Sequence, residues 1–419
     1  MKKYISIILI IFLGCNLDSN SSVDPFYKVY VSNQSQDHVA VINAKTGELE
    51  KNIKVGLGGI NCSNFSQSSD ECEENGCTWH EMNGMSHCMG QGTTTGNSPH
   101  FISIDEDNGF WFVTLMDAGY VEQYNLSNDN FISRIELGDL PALSVLDTEN
   151  KKIYISRMNM PGHINMNAQT NIINIVSYSD DGLVNEYEIN ICDGCDGIGP
   201  HALSINTMDQ ELFTASVLSD FLFKIDLSNN YEIFSQPMYN DDQAIPNTLI
   251  QKFKPIQCIY KNGYILVTCS AGSWSLGNEE IAGQIHMYNA NTLEQVDIYS
   301  DFNSNSNPWH IIGDNSNHVY VTLSGQPLLG GQGVACLSIS EDNLELVWHN
   351  QDINSIMDSP HGISLSSDES KLFVSDRGNG HLYILDSFTG ELLSITNLAI
   401  ESIGSTAILG GIASTLNAW

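Results

Sequence analysis

Positive charge is scarce in this 419-residue chain: 16 Lys and Arg stand against 50 Asp and Glu, for a formal net charge of −34. A field of that sign repels phosphate backbones and anionic headgroups, which excludes nucleic acid as a partner and any membrane contact made through basic side chains. Acidic surfaces rich in Asn and Ser also keep a protein soluble in salty water, so the charge speaks about partners rather than fold. Catalytic signatures are missing too. There is no G-x-S-x-G elbow, no H-E-x-x-H pair, no P-loop and no dinucleotide fingerprint, so a serine hydrolase, a zincin and a nucleotide enzyme each lack their sequence mark. Asp105, Asp107 and Gly109 resemble part of a calcium loop without its distant glutamate, and read as a turn. Apolar runs long enough to cross a bilayer are absent as well.

The longest apolar run, Ile5 to Leu13, follows Lys2 and Lys3 and stops at Gly14 and Cys15. Too short to span a membrane, it reads as a signal peptide over 1–14. A small residue directly before a cysteine resembles the lipobox of bacterial lipoproteins, which makes Cys15 the lipidated first residue of the mature chain and 15–25 a polar tether. Ordinary cleavage to a soluble secreted protein is the alternative. On the first reading the chain is exported and anchored to the cell envelope, on the periplasmic side of the outer membrane or at the cell surface. Its only membrane contact is then the lipid.

A chain of this length ordinarily holds two or three domains, but internal repeats override that expectation. Near the N-terminus YKVYVSN is followed by HVAVINAKTGELEKNIKVG, and near the C-terminus KLFVSD is followed by HLYILDSFTGELLSITNL. Between them, short apolar segments begin at Pro99, Pro141, Pro200, Pro255, Pro308 and Pro360, and a second strand follows each: GFWFVTL, KIYISRM, ELFTASV, YILVTCS, HVYVTLS and KLFVSDR. Four short strands per unit, separated by Asn, Asp and Gly turns, make one propeller blade. The sequence therefore predicts an all-β fold, a seven-bladed β-propeller over 26–419, with a small Cys-rich insertion at 57–97 between blades 1 and 2. The first unit lacks its proline-led strand. The apolar stretch Ser405 to Ile412 is predicted to supply it, closing the ring so that no sheet edge stays unpaired.

Strands such as KVYVSN and HVYVTL, followed by VINAKTGEL and ILDSFTGEL, resemble the YVTN-repeat, YncE-like β-propeller family from Tyr27 to Ile412. The resemblance implies the fold and no particular chemistry, because sites are grafted on folds.

In a blade the start of the first strand, the loop between second and third strands and the inter-blade connection share one face, and the insertions fall there. Loops on a rigid scaffold are where binding usually resides. The insertion after blade 1 carries Cys62, Cys72, Cys77 and Cys88, read as two disulfides of undetermined pairing in an exported protein, with an irregular zinc site including His80 and His87 as the alternative. Cys192 and Cys195 form a C-x-x-C loop, read as a small disulfide, with a thiolate metal clamp as the alternative. Cys258, Cys269 and Cys336 lie in apolar strands and read as free and buried.

Counting from the prolines without gaps puts His100, His201 and His361 in one register, in blades 2, 4 and 7, with His310 one place beyond it in blade 6. Three imidazoles entering an axial channel from nearly trigonal directions suit copper or zinc. Soft donors share that face: Met158, Met160, His163 and Met166 in blade 3, and His80, Met82, Met85, His87 and Met89 in the insertion. The bland alternatives are that the histidines cap neighbouring loops and the methionines fill gaps.

Three functions compete. The leading expectation is a non-catalytic envelope module, a monomer, that binds a protein, glycan or small ligand through its loop-decorated face. The second is a copper- or zinc-dependent redox protein with the histidines as ligands. The third, lactone hydrolysis on a calcium-bearing propeller, needs an axial ring of carboxylates and amides that the strand starts do not show.

Overall fold

Every proline-led segment is a strand that starts at its proline: Pro99–Asp105, Pro141–Asp147, Pro200–Asn206, Pro255–Lys261, Pro308–Gly313 and Pro360–Leu365. The computed structural model describes residues 25–56, 78–82, 85–89, 96–138, 140–158, 171–192, 199–239, 251–271, 282–303, 305–325, 330–350, 356–403 and 406–419, with backbone alone for the two short segments between 78 and 89. Proline has no N–H to give a ladder, so it suits the first position of a strand. The residue before it is left-handed in five cases: Ser98 at φ 53°, Leu140 at 52°, Gly199 at 56°, Lys254 at 51° and Asn307 at 45°. A backbone hydrogen bond offsets that strain. The carbonyl of the kink residue accepts the N–H of the residue just past the blade's second strand, as from Met116 to Ser98 at 3.0 Å and from Met158 to Leu140 at 2.9 Å.

Each of the six proline-led strands opens a four-stranded antiparallel sheet, and with the sheet of blade 1 these form a seven-bladed β-propeller. Burial follows position in the blade. Phe110–Leu115, a second strand with a neighbouring blade on both faces, is buried at every residue, whereas the outermost strand Leu49–Lys54 is exposed at five of its six. The core is accordingly divided into seven wedges, one between each pair of adjacent blades. The wedge between blades 1 and 2 holds Tyr30, Val41, Trp111 and Val113, and the wedge between blades 7 and 1 holds Val31, Ile42, Phe373 and Ile384. Cys258, Cys269 and Cys336 are free and buried in these wedges, as expected.

The C-terminal segment closes the ring by pairing antiparallel with Tyr27–Asn33, as the innermost strand of blade 1. It spans Leu409–Ala418, so it begins later and runs further than the predicted Ser405 to Ile412. A Cβ at Gly410 would lie 2.6 Å from Ser32 Oγ, and one at Gly411 2.8 Å from the His100 carbonyl. The pair is thus a close approach inside the strand. Among the described residues no helix is long and apolar enough to cross a membrane.

Candidate functional site

Six of the seven inner strands are each held to the neighbouring blade by a repeated bond. A hydroxyl on the second strand of one blade donates to the carbonyl of the second residue of the inner strand in the next: Ser32 to His100 (3.0 Å), Thr114 to Ala142 (2.7 Å), Ser156 to His201 (2.8 Å), Thr268 to Trp309 (2.6 Å), Thr322 to His361 (2.7 Å) and Ser375 to Gly410 (2.6 Å). This ladder puts His100, His201 and His361 at one level, together with Ala142, Ile256, Trp309 and Gly410.

All four histidines singled out in the sequence come together there, and all are buried. The His100 ring centre lies 6.1 Å from that of His201 and 5.9 Å from that of His361, and the His310 and His361 centres are 4.7 Å apart. Their hydrogen bonding is sparse. His100 Nδ1 sits 2.6 Å from the Gln34 amide, and His201 Nδ1 lies 2.5 Å from the Ile256 carbonyl. Nε2 of His100, Nε2 of His310 and both ring nitrogens of His361 have no partner. Buried polar atoms are nearly always paired, so four orphans in one cluster require an explanation.

Burial holds the rings neutral. It lowers His201 to about 4, against the bond to Ile256, and His310 to about 3, with His201 adding to the effect. His100 and His361 are pushed well below the usual 6.5 by burial first, then by the neighbouring imidazoles and the solvent-exposed Arg377. A neutral imidazole offers a lone pair, which a protonated one does not.

The next tier is formed by the residue just past each second strand, which includes Gln34, Met116, Met158 and Arg377. Met158 is therefore near the axis, but buried with Met116 against Ala142 and not displayed on a loop. Beyond the histidines a cavity of about 500 Å³ follows the inner strands, with His310, Ile363, Leu365 and Ile412 in its wall, and extends to Glu106 and Glu369 past the strand ends. The loop-face reading did not anticipate it, because every first strand reads as plain core.

Other predicted site residues fall elsewhere. His80, Met82, Met85, His87, Cys88 and Met89 lie on a hairpin, Thr78–Met82 with Met85–Met89, whose register sets His80 opposite His87. Met160, His163, Met166, Cys62, Cys72, Cys77, Cys195 and the lipidation candidate Cys15 are outside the described residues. Cys192 is disulfide-bonded. Among the described residues no three His, Cys, Asp or Glu side chains stand arranged to hold a metal ion. Gln34, Met116 and Arg377 were missed by sequence reasoning. Aligning the residue after each second strand would have found them.

No protein-family model matches the chain, and no curated protein matches it. Solved structures do. A periplasmic gluconolactonase of Pseudomonas aeruginosa superposes with a TM-score of 0.60 at 12% identity, over 93% of this chain and 99% of that one. A protein from Lactobacillus plantarum gives 0.61 at 12% identity over 93% and 100%. A functionally unknown protein from Desulfotomaculum acetoxidans gives 0.58 at 13% over 93% and 98%. At such identities the likeness is one of fold alone.

Proposed function

We propose that this protein is an envelope lipoprotein, anchored at Cys15, whose propeller is a binding module for a transition-metal cation, copper or zinc, held by His100, His201, His310 and His361. The observation that carries the reading is the gathering of four buried, neutral imidazoles with unpartnered nitrogens. With metal–nitrogen bonds of about 2 Å, rings on one ion have their centres about 5 Å apart. The separations of 4.7, 5.9 and 6.1 Å lie near this value, so binding on this reading draws the rings inward from their present positions. Imidazole selects copper and zinc over the hard cations that prefer carboxylates.

Copper would add a one-electron couple, and the protein would then serve redox chemistry; zinc would leave it a carrier or a structural site. The face that carries the loops remains the surface proposed for a protein, glycan or small-molecule partner, and the cavity beyond His310 gives the cluster a second approach.

The test is elemental analysis of the full chain, made without a histidine tag and reconstituted with copper or zinc, beside His361→Leu. His361 makes no side-chain hydrogen bond, so its loss should spare the fold. About one metal per wild-type chain and little in the variant supports the reading. Metal-free wild type, or equal loading of the two, overturns it.

A further inference from the structure

The ladder of hydroxyls around the axis has one gap. In blade 4 the second strand reads ELFTAS, and the position that carries Ser or Thr in the other six blades is Ala215. Register confirms the equivalence: Ala215 pairs with Ala202, third in its proline-led strand, as Thr268 pairs with Gln257, third in the strand from Pro255. Thr214, next to Ala215, cannot substitute, since its buried Oγ1 has no hydrogen-bond partner. The carbonyl that a hydroxyl at 215 would serve is that of Ile256, and His201 Nδ1 takes it instead, at 2.5 Å.

A carbonyl oxygen only accepts, so Nδ1 carries the proton and the lone pair of the neutral ring is left on Nε2. His201 is the one axial histidine that the described residues give a backbone acceptor; His100 meets a side-chain amide, which can turn over, and His361 meets neither. Ligating histidines usually donate their second N–H to a carbonyl or carboxylate, which fixes the tautomer and the ring.

We infer that Ala215 is a positioning residue for the axial site: by leaving the Ile256 carbonyl without a hydroxyl donor, it recruits His201 Nδ1–H and sets Nε2 as the ligand atom. The ligand half of this rests on the metal reading above, whereas the tautomer half does not.

The experiment is nitrogen NMR of histidine-labelled, metal-free full chain, paired with zinc and copper affinities from competition with a chromophoric chelator, on wild type and Ala215→Ser. In the wild type His201 should show a protonated Nδ1 and an unprotonated Nε2. In Ala215→Ser the new Oγ takes the Ile256 carbonyl, His201 loses its single tautomer, and affinity falls by about 10- to 100-fold at unchanged thermal stability. A wild-type His201 protonated on Nε2, or a variant with unaltered tautomer and affinity, overturns the inference. If the serine variant does not fold, the wild-type spectrum decides alone. A wild type that binds neither metal, yet shows the tautomer and its loss in Ala215→Ser, sinks the metal reading and retains the control of His201 by Ala215.

Discussion

His310 and His361, on the inner strands of blades 6 and 7, lie with ring centres 4.7 Å apart and planes inclined by 64°, and neither has a partner for its Nε2. An unpaired buried polar group costs about 1–3 kcal/mol, whereas an apolar replacement of similar shape costs little. His361→Leu should therefore leave the metal-free protein as stable as the wild type or stabilise it by about 1 kcal/mol, read from thermal or urea unfolding. Destabilisation by more than about 2 kcal/mol would show that His361 makes native hydrogen bonds after all, and would remove the orphaned nitrogens as an argument for a ligand.

Asp129 stands at the opposite extreme, with every lone pair engaged between blades 1 and 2. Its carboxylate meets Lys28 at 3.1 Å and Lys51 at 2.8 Å, and accepts from Tyr30 Oη at 2.5 Å and Trp111 Nε1 at 3.0 Å. Lys28 is itself buried, and removing the anion strands its charge. Asp129→Asn keeps the shape and an amide tolerant of the left-handed backbone at φ 60°, so it isolates the charge. We expect a loss of about 3–5 kcal/mol in urea unfolding. A loss below about 1 kcal/mol would mean that Lys28 is solvated or neutral in the native state.

The strands, their number and the axial histidines were legible because proline punctuates this chain. A residue with fixed φ and no N–H marks the first position of six of the seven inner strands, so counting from Pro99, Pro200 and Pro360 puts His100, His201 and His361 in register without any structure. His310 lies one place further, and its ring centre is still only 4.7 Å from that of His361. What stayed hidden depends on ring closure. Gln34 meets His100, and Ser32 bonds to both His100 and Gly411, only once blade 1 lies beside blade 2 and the C-terminal strand has returned. That Gly410 and Gly411 mark a close approach inside the closing strand was not legible either, because glycine signals a turn as readily as a close approach. Only the neighbouring carbonyls distinguish the two.

A single carboxylate reinforces the end of the closing strand. Glu106, just past the inner strand of blade 2, accepts hydrogen bonds from the Leu416 N–H, the Asn417 N–H at 2.9 Å, Asn417 Nδ2 at 3.0 Å and Trp419 Nε1 at 3.0 Å. Reciprocal backbone bonds between Phe26 and Trp419, at 3.3 and 3.1 Å, complete the seal. These contacts are largely exposed, so Glu106→Ala should cost only about 1–2 kcal/mol globally. Its main effect should be local, as faster hydrogen exchange over Ile412–Trp419 with the other blades unchanged. Uniform acceleration across all blades would mean that the clasp and the ring open together.

Acid should weaken the fold through His286, away from the axial cluster. Buried between Phe253, at 4.7 Å, and Tyr288, its Nδ1 is 3.0 Å from the tyrosine hydroxyl and its Nε2 2.9 Å from Gln284 Oε1. Burial lowers its pKa from 6.5 to about 3. A group whose folded pKa is depressed binds fewer protons in the native state, so its stabilisation is complete above pH 6.5 and is lost as pH falls toward the folded value. Between pH 7 and pH 5 that amounts to about 2 kcal/mol. Nearby Asp220 is raised by burial and acts in the opposite sense, its contribution growing as the carboxyl protonates. His286→Gln, which retains a polar group but cannot titrate, should flatten the stability profile between pH 7 and pH 5 by about 2 kcal/mol while leaving Asp220's opposing slope in place. Parallel profiles for variant and wild type would show that His286 binds protons alike in the folded and unfolded chain, so that burial does not depress it in the native protein.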